Sequence, residues 1–98
     1  MIIVTGAVVA RPETFERIMS LSREHVARSR REPGCISHEV CVSADDPLRL
    51  VFFERWTGAD ALKAHFAVSE SRAFVSEVRA LCVGATEMQV YAASEVAV

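Results

Sequence analysis

The order of apolar and polar positions along the chain predicts alternating strands and helices. An apolar run from about residue 2 to residue 10, rich in β-branched side chains, favours a first strand. Beyond Pro12, which suits the first turn of a helix, apolar residues recur at helical spacing. This helix is expected to end at residues 32–34, Glu-Pro-Gly, because proline cannot continue a helix and disfavours α geometry in the residue before it.

The next two apolar stretches predict an antiparallel hairpin. Residues 35–42 alternate with a period of two, and residues 48–56 form a second strand. The Asp-Asp-Pro stretch at residues 45–47 lies between them and is a turn signal. The hairpin loop is therefore expected to span residues 43–47.

The second half of the chain predicts helical segments and a final strand. Residues 57–60 have the spacing of a capping box, with Asp in place of the usual Glu, and open a helix over residues 62–66. Ser69 can cap a second helical segment, which Gly84 ends, and residues 86–92 alternate as a last strand. The complete order is β-α-β-β-α-β, an α+β fold of the ferredoxin-like type with an antiparallel sheet.

Both faces of the third predicted strand are apolar. Leu50, Phe52 and Trp56 lie on one side, and Val51 and Phe53 lie on the other. Helices from one chain can cover only one face of a four-stranded sheet, so a second copy is expected to cover the other. This predicts a homodimer in which two sheets close into an α+β barrel. The alternative is that the second set consists of scattered surface residues, which are common on monomers.

Composition limits the classes of function that are open to the chain. With 98 residues, of which 51% are hydrophobic, the sequence suggests one domain over residues 1–98. The net charge of -2 and the dispersed Lys and Arg residues do not favour nucleic acid as a partner. No apolar run is long enough for a membrane span and no leader is recognisable, so a cytoplasmic protein without membrane contact is expected. The three cysteines, an odd number without metal-ligand spacing, are expected to be buried thiols.

Four stretches together resemble the antibiotic biosynthesis monooxygenase family, which includes quinol monooxygenases and cofactor-free oxygenases of polyketide tailoring. Their order and spacing carry the resemblance, which extends from the first strand to the last. The stretches are Glu-Pro-Gly-Cys-Ile at residues 32–36, Asp-Pro at residues 46–47, Phe-Phe-Glu-Arg-Trp at residues 52–56, and Ala-Leu-Lys-Ala-His-Phe at residues 61–66.

The resemblance implies a dimeric α+β barrel and a cofactor-independent monooxygenase. Such an enzyme oxidises a quinol-like or polycyclic phenolic substrate with dioxygen, without flavin, haem or metal. The deprotonated substrate itself supplies the electron to oxygen, so the protein must bind it, help to remove a proton and exclude water. Two positions depart from the family pattern: many relatives have a second His at the place of Glu70, and many have Tyr at the place of His38. Haem cleavage is not expected, because Phe66 stands where haem-degrading relatives have the iron-ligating His.

The predicted hairpin register gathers a candidate site on one sheet face. It places His38 opposite Phe52 and Ile36 opposite Glu54, so that His38, Glu54 and Trp56 share a face. A titratable base, a carboxylate and an indole that can stack on a planar ring would suit a quinol pocket. The candidate catalytic residues are His38, Trp56 and His65, and the candidate substrate-binding residues are Glu54, Phe52 and Phe66.

Each polar candidate also has a structural interpretation. Glu54 could make an ion pair, Trp56 could pack beneath the second helix, and His65 could cap that helix. His25 is expected to be a partly exposed packing residue. A metal site of three histidines is not predicted, because His25 and the two candidate histidines belong to three separate elements and form no local pair at i, i+4 spacing.

A second hypothesis for the function comes from a different class. The chain could be a non-catalytic dimer that binds a small aromatic ligand or serves a stress response, because ferredoxin-like folds host both kinds of protein. An apolar cavity onto which His38 or His65 converges would favour the enzyme. A cavity filled by Phe52, Phe66 and Met88 would favour the ligand-binding protein.

Overall fold

The computed structural model describes all residues from 1 to 98 and contains four strands and three helices. Their order confirms the predicted alternation, with the second helical region divided into two helices at Val68, whose backbone is extended. The elements are β1 (Ile2–Val9), α1 (Phe15–Ser29), β2 (Cys35–Val42), β3 (Arg49–Trp56), α2 (Ala59–Ala67), α3 (Ser69–Leu81) and β4 (Glu87–Ala92).

The strands form one antiparallel sheet in the order β2-β3-β1-β4, which is the ferredoxin-like arrangement. The main core lies between the helices and one face of this sheet. Ile18 and Leu21 of α1 and Val78 of α3 pack there against Leu50 and Phe52 of β3. None of the three helices is long and apolar enough to cross a membrane.

The predicted helix starts were wrong in detail. Pro12 lies in a turn before α1, and Thr14 is the residue that precedes the first helical turn. The capping box at residues 57–60 is not formed, because Gly58 takes the N-cap position of α2 without a side-chain hydrogen bond. The first helix also ends earlier than predicted, at Ser29, and residues 32–34 belong to the turn that follows it, where Gly34 has a positive φ of 83°. A Cβ at Gly34 would lie 2.5 Å from the Cβ of Ala61, so only glycine allows α2 to pack this closely on the turn.

The predicted hairpin register was also wrong. His38 pairs with Glu54 rather than with Phe52. The centre of the hairpin loop lies one residue later in the chain than predicted, and the Ser43 N–H group donates a hydrogen bond to the Arg49 carbonyl. The shift amounts to two positions, so the residues predicted to share a face still share it. A bulge at Ile36 then brings Cys35 opposite Trp56.

The bulge places Cys35 on the helix-covered face, where it packs half-buried against the cluster around Trp56. The alternation had predicted Cys35 on the opposite face. The expectation of buried thiols was wrong for two of the three cysteines, because only Cys82 is buried and Cys41 is exposed.

The second face of the sheet is not covered by any element of the chain. Phe53 is 40% exposed, Val51 is half-buried, and Tyr91 on β4 is exposed. All six residues of β4 are exposed. The apolar residues predicted to lie on a second face are therefore there, in contact with solvent in the single chain.

Candidate active site

A cavity of about 570 Å³ lies between the covered face of the sheet and helices α2 and α3. Its wall combines aromatic and aliphatic side chains with carboxylate, imidazole, hydroxyl and guanidinium groups. Among the residues that line it are Phe52, Glu54, His65, Phe66, Ser71 and Phe74. A volume of this size is in the range of pockets that hold small organic molecules.

His65 of α2 forms a dyad with Glu32, which lies in the turn after α1. The His65 Nδ1 atom is 2.9 Å from Glu32 Oε1, and His65 is only 3% exposed. A carboxylate can only accept a hydrogen bond, so this contact assigns the proton to Nδ1 and leaves a lone pair on Nε2 of the neutral ring. The side chain of His65 thus binds Glu32 and does not cap the helix. A carboxylate-oriented imidazole beside a cavity has the arrangement of a general base.

Glu54 of β3 lines the cavity and is held from behind by two buried side chains. The Trp56 Nε1–H group donates a hydrogen bond of 2.9 Å to Glu54 Oε1. The His38 Nε2 atom lies 3.3 Å from the same oxygen, with poor alignment for a hydrogen bond. Burial by itself would raise the pKa of Glu54, but the contacts with His38 and Trp56 outweigh burial and hold its pKa below the ordinary value. Glu54 is therefore ionised at neutral pH.

His25 of α1 belongs to the same group of side chains, although it was expected to be a partly exposed packing residue. It is 5% exposed, and its ring stacks on Phe74 with centroids 4.1 Å apart. Arg28 Nη2 lies 3.0 Å from His25 Nδ1, and because guanidinium only donates, the ring proton of neutral His25 is on Nε2. Burial, followed by the neighbouring His38, His65 and Arg28, lowers the pKa of His25 to about 3.

The three histidines converge although they come from α1, β2 and α2. The ring centroid of His25 lies 5.1 Å from that of His38 and 5.2 Å from that of His65. The centroids of His38 and His65 are 5.7 Å apart. One ring nitrogen from each lies within 4.8 Å of the others. Such a cluster was not predicted from the sequence, because three elements would have to meet, and in the fold they do.

The candidate residues from the sequence fall into two layers. Phe52, Glu54, His65 and Phe66 line the cavity. His38 and Trp56 do not line it, contrary to expectation, because both are completely buried behind Glu54. Trp56 packs with Val4 and Leu62, as its structural interpretation proposed. The catalytic and binding roles assigned to these residues stay predictions.

Sequence reasoning missed three residues of the site. Glu32 was noted only as part of a helix-ending motif, and His25 was given no role. Ser71 of α3 was not considered, yet it lines the cavity and its buried Oγ has no hydrogen-bond partner. For His25 a signal existed, since it follows Leu21 and Ser22 on the stripe of α1 that faces the core. The other two residues have no comparable signal in the sequence.

The family model described as antibiotic biosynthesis monooxygenase matches residues 1–77. The chain belongs to the antibiotic biosynthesis monooxygenase family. An uncharacterised Synechocystis protein, sll1783, is 31% identical over 94 residues, which cover 96% of this chain. The chain spans about 64% of the length of that relative.

Solved structures agree with this membership. A structure described as an antibiotic biosynthesis monooxygenase is 27% identical, with a TM-score of 0.88 over 97% of this chain and 100% of the other. Rv0793 from Mycobacterium tuberculosis is 26% identical, with a TM-score of 0.90 over 99% of this chain and 98% of the other. A Deinococcus radiodurans protein of 21% identity has a TM-score of 0.93 over 99% of this chain and 96% of its own, and it supports the fold alone.

Proposed function

We propose that the protein is a cofactor-independent monooxygenase that oxidises a quinol-like or polycyclic phenolic substrate with dioxygen. One observation carries the proposal: His65, with Nδ1 held by Glu32 and a lone pair on Nε2, lies in the wall of an aromatic-lined cavity. A phenol must lose its proton before it can transfer an electron to oxygen readily. An oriented neutral imidazole is suited to take that proton near neutral pH.

The cavity wall suits the substrate in shape and polarity. Phe52 and Phe74 meet edge to face, with centroids 6.1 Å apart, and offer ring surfaces for a planar molecule. Ser71 Oγ has no partner within the chain and is available to a substrate oxygen. The carboxylate of Glu54 can accept a hydrogen bond from a second phenolic O–H group, which a quinol has and a simple phenol lacks.

The reaction balances without a cofactor. His65 takes the phenolic proton, and the phenolate transfers one electron to dioxygen. The resulting radicals combine to form a carbon–oxygen bond, and the peroxide takes up the proton that His65 holds. Loss of the ring C–H proton as the O–O bond breaks leaves one oxygen atom on the ring and releases the other as water. A hydroquinone becomes a hydroxylated quinone, and all four electrons that reduce dioxygen come from the substrate. Around these steps the apolar wall excludes water.

We also propose that the chain works as a homodimer joined through its uncovered sheet face. Val51 and Phe53 lie on that face, and Tyr91 adds a large exposed side chain. A symmetric pairing of two such faces would remove apolar area from water. Sedimentation equilibrium of the native protein and of a Phe53→Glu variant tests this, with Ala64→Glu on the exposed surface of α2 as the control. A dimer is expected for native and control proteins; a native protein that is monomeric at micromolar concentration contradicts it.

The activity is tested by dioxygen consumption on protein stripped of metal with EDTA, against a panel of quinols and anthrones. We expect oxygen uptake coupled to product formation, and a loss of at least a hundredfold in kcat for His65→Gln. The exposed Lys63→Gln on the same helix is the matched control. If the panel compounds bind in a fluorescence titration but no oxygen is consumed, the protein is the non-catalytic ligand-binding alternative and the proposed reaction is wrong.

A further inference from the structure

We propose that His25, His38 and His65 form a binding site for one divalent transition-metal ion of the Zn²⁺ type. This goes beyond the proposed oxygenase, which needs no metal. The three imidazoles come from three elements, are 5%, 0% and 3% exposed, and present ring nitrogens within 4.8 Å of one another. Imidazole nitrogen is a preferred ligand for Zn²⁺, Ni²⁺ and Cu²⁺.

His38 provides an independent reason to expect a ligand. Its side chain is completely buried, its Nδ1 atom has no hydrogen-bond partner, and its Nε2 atom has only the poorly aligned contact with Glu54. A buried polar atom without a partner is costly and uncommon in native proteins. An ion among the three rings would provide the missing partner for His38.

Two carboxylates contact the rings of the cluster, as carboxylates do at many histidine metal sites. Histidines that bind metal usually have a carboxylate or carbonyl on the other ring nitrogen. Glu32 holds Nδ1 of His65 at 2.9 Å and directs the lone pair of Nε2 away from itself. Glu54 lies 3.3 Å from Nε2 of His38, which leaves Nδ1 of that ring free. The carboxylates of Glu32 and Glu54 favour a cation here, against the guanidinium of Arg28 at His25 and that of Arg30, which donates to the backbone carbonyl of His38.

Arg28 opposes the ion most directly, because its side chain contacts one of the three rings. Its guanidinium donates to Nδ1 of His25 and so favours the tautomer with a proton on Nε2. For His25 to bind the ion through Nε2, that proton must leave and the Arg28 contact must loosen. The Arg28 Nε atom is buried without a hydrogen-bond partner, so that atom loses no hydrogen bond when the contact with His25 loosens. Removal of the guanidinium is therefore expected to strengthen metal binding.

The rings must also approach one another. Tetrahedral Zn²⁺ with Zn–N bonds of about 2.0–2.1 Å needs nitrogen atoms roughly 3.4 Å apart. Starting from separations of at most 4.8 Å, each nitrogen has to move by less than about 1 Å. The ion would occupy the Nε2 lone pair of His65 that the proposed oxygenase uses as its base, so the metal is expected to inhibit that reaction.

Titration of the untagged, EDTA-stripped protein with ZnCl₂ in a calorimeter tests the site, with CoCl₂ absorption as a second measurement. All proteins carry Cys41→Ser, which removes the exposed thiol as a competing ligand. We expect saturation at one Zn²⁺ per chain and a visible Co²⁺ spectrum of the tetrahedral type. Zn²⁺ binding is expected to weaken at least tenfold in His38→Gln, and about tenfold to a hundredfold in Glu32→Gln. In Arg28→Met, Zn²⁺ binding is expected to tighten about threefold or more.

Far-UV circular dichroism and melting curves show whether each variant is folded. Glu32 lies partly at the surface, so Glu32→Gln keeps the test informative if His38→Gln does not fold. Lack of stoichiometric Zn²⁺ binding by the Cys41→Ser protein with its three histidines intact, unchanged affinity in folded Glu32→Gln, or weaker binding in Arg28→Met would each overturn the proposal. These measurements do not involve dioxygen, so their failure leaves the proposed oxygenase standing.

Discussion

The Glu32 carboxylate and the His65 imidazole, 33 positions apart in the chain, meet at 2.9 Å. Glu32 precedes the Pro33-Gly34 turn, and α2 packs against that turn closely enough to exclude any side chain larger than hydrogen at Gly34. The Gly34 carbonyl also accepts a 2.8 Å hydrogen bond from the Thr57 N–H group. The turn motif therefore sets the position of Glu32 relative to α2, and with it the tautomer of His65.

Glu32→Gln should lower kcat about a hundredfold while KM changes little. The amide can donate to Nδ1 of His65 and favour the tautomer whose Nε2 carries a proton and cannot act as a base. Steady-state kinetics in EDTA-containing buffer measures both constants. Glu24→Gln, exposed on α1, is the control. Equal activity in both variants would show that the dyad has no part in proton transfer.

Ser71→Ala should raise KM about fivefold with little change in kcat, because the hydroxyl has no partner in the chain and is available to the substrate. Removal of a buried, unpartnered hydroxyl should leave the protein as stable as before or slightly more stable. Urea unfolding and kinetics on the same preparation separate these effects, with Ser20→Ala as an exposed control. A less stable variant with an unchanged KM would show that Ser71 is structural.

Trp56→Phe should lower the free energy of unfolding by about 2 kcal/mol, from lost volume and the lost hydrogen bond to Glu54. Trp56 is completely buried behind the cavity, so we expect kcat/KM of the folded variant to fall less than tenfold. Urea unfolding and kinetics measure the two effects. A large loss of activity without loss of stability would instead indicate that Trp56 acts directly on the substrate.

Acid should destabilise the native protein partly through His25. Its pKa is lowered from 6.5 to about 3 in the fold, so between these values the unfolded chain binds more protons and stability falls as pH falls. From pH 6.5 to pH 5 this amounts to roughly 2 kcal/mol. His25→Phe, which can still stack on Phe74, should lose less stability than the native protein over this interval in EDTA. Parallel pH profiles of urea unfolding would contradict this origin.

The sequence by itself determined that His38, Glu54 and Trp56 share a sheet face. Alternation with a period of two places His38, Glu54 and Trp56 on one side, and a register that was wrong by two positions did not change this, since an even shift preserves the face. The element order and the second apolar face around Phe53 follow from the same local periodicity. Local patterns are sufficient for such features because each depends on neighbours a few residues away.

Only the tertiary structure decided which side chains meet between elements. The contact of Glu32 with His65, the convergence of the three histidines, and the placement of Ser71 in the cavity wall depend on how α1, α2 and α3 pack across the sheet. The bulge at Ile36, which turns Cys35 towards Trp56, is likewise absent from the alternation. Helix packing is set by the sum of many weak contacts over the whole core, and no spacing along the chain records its result.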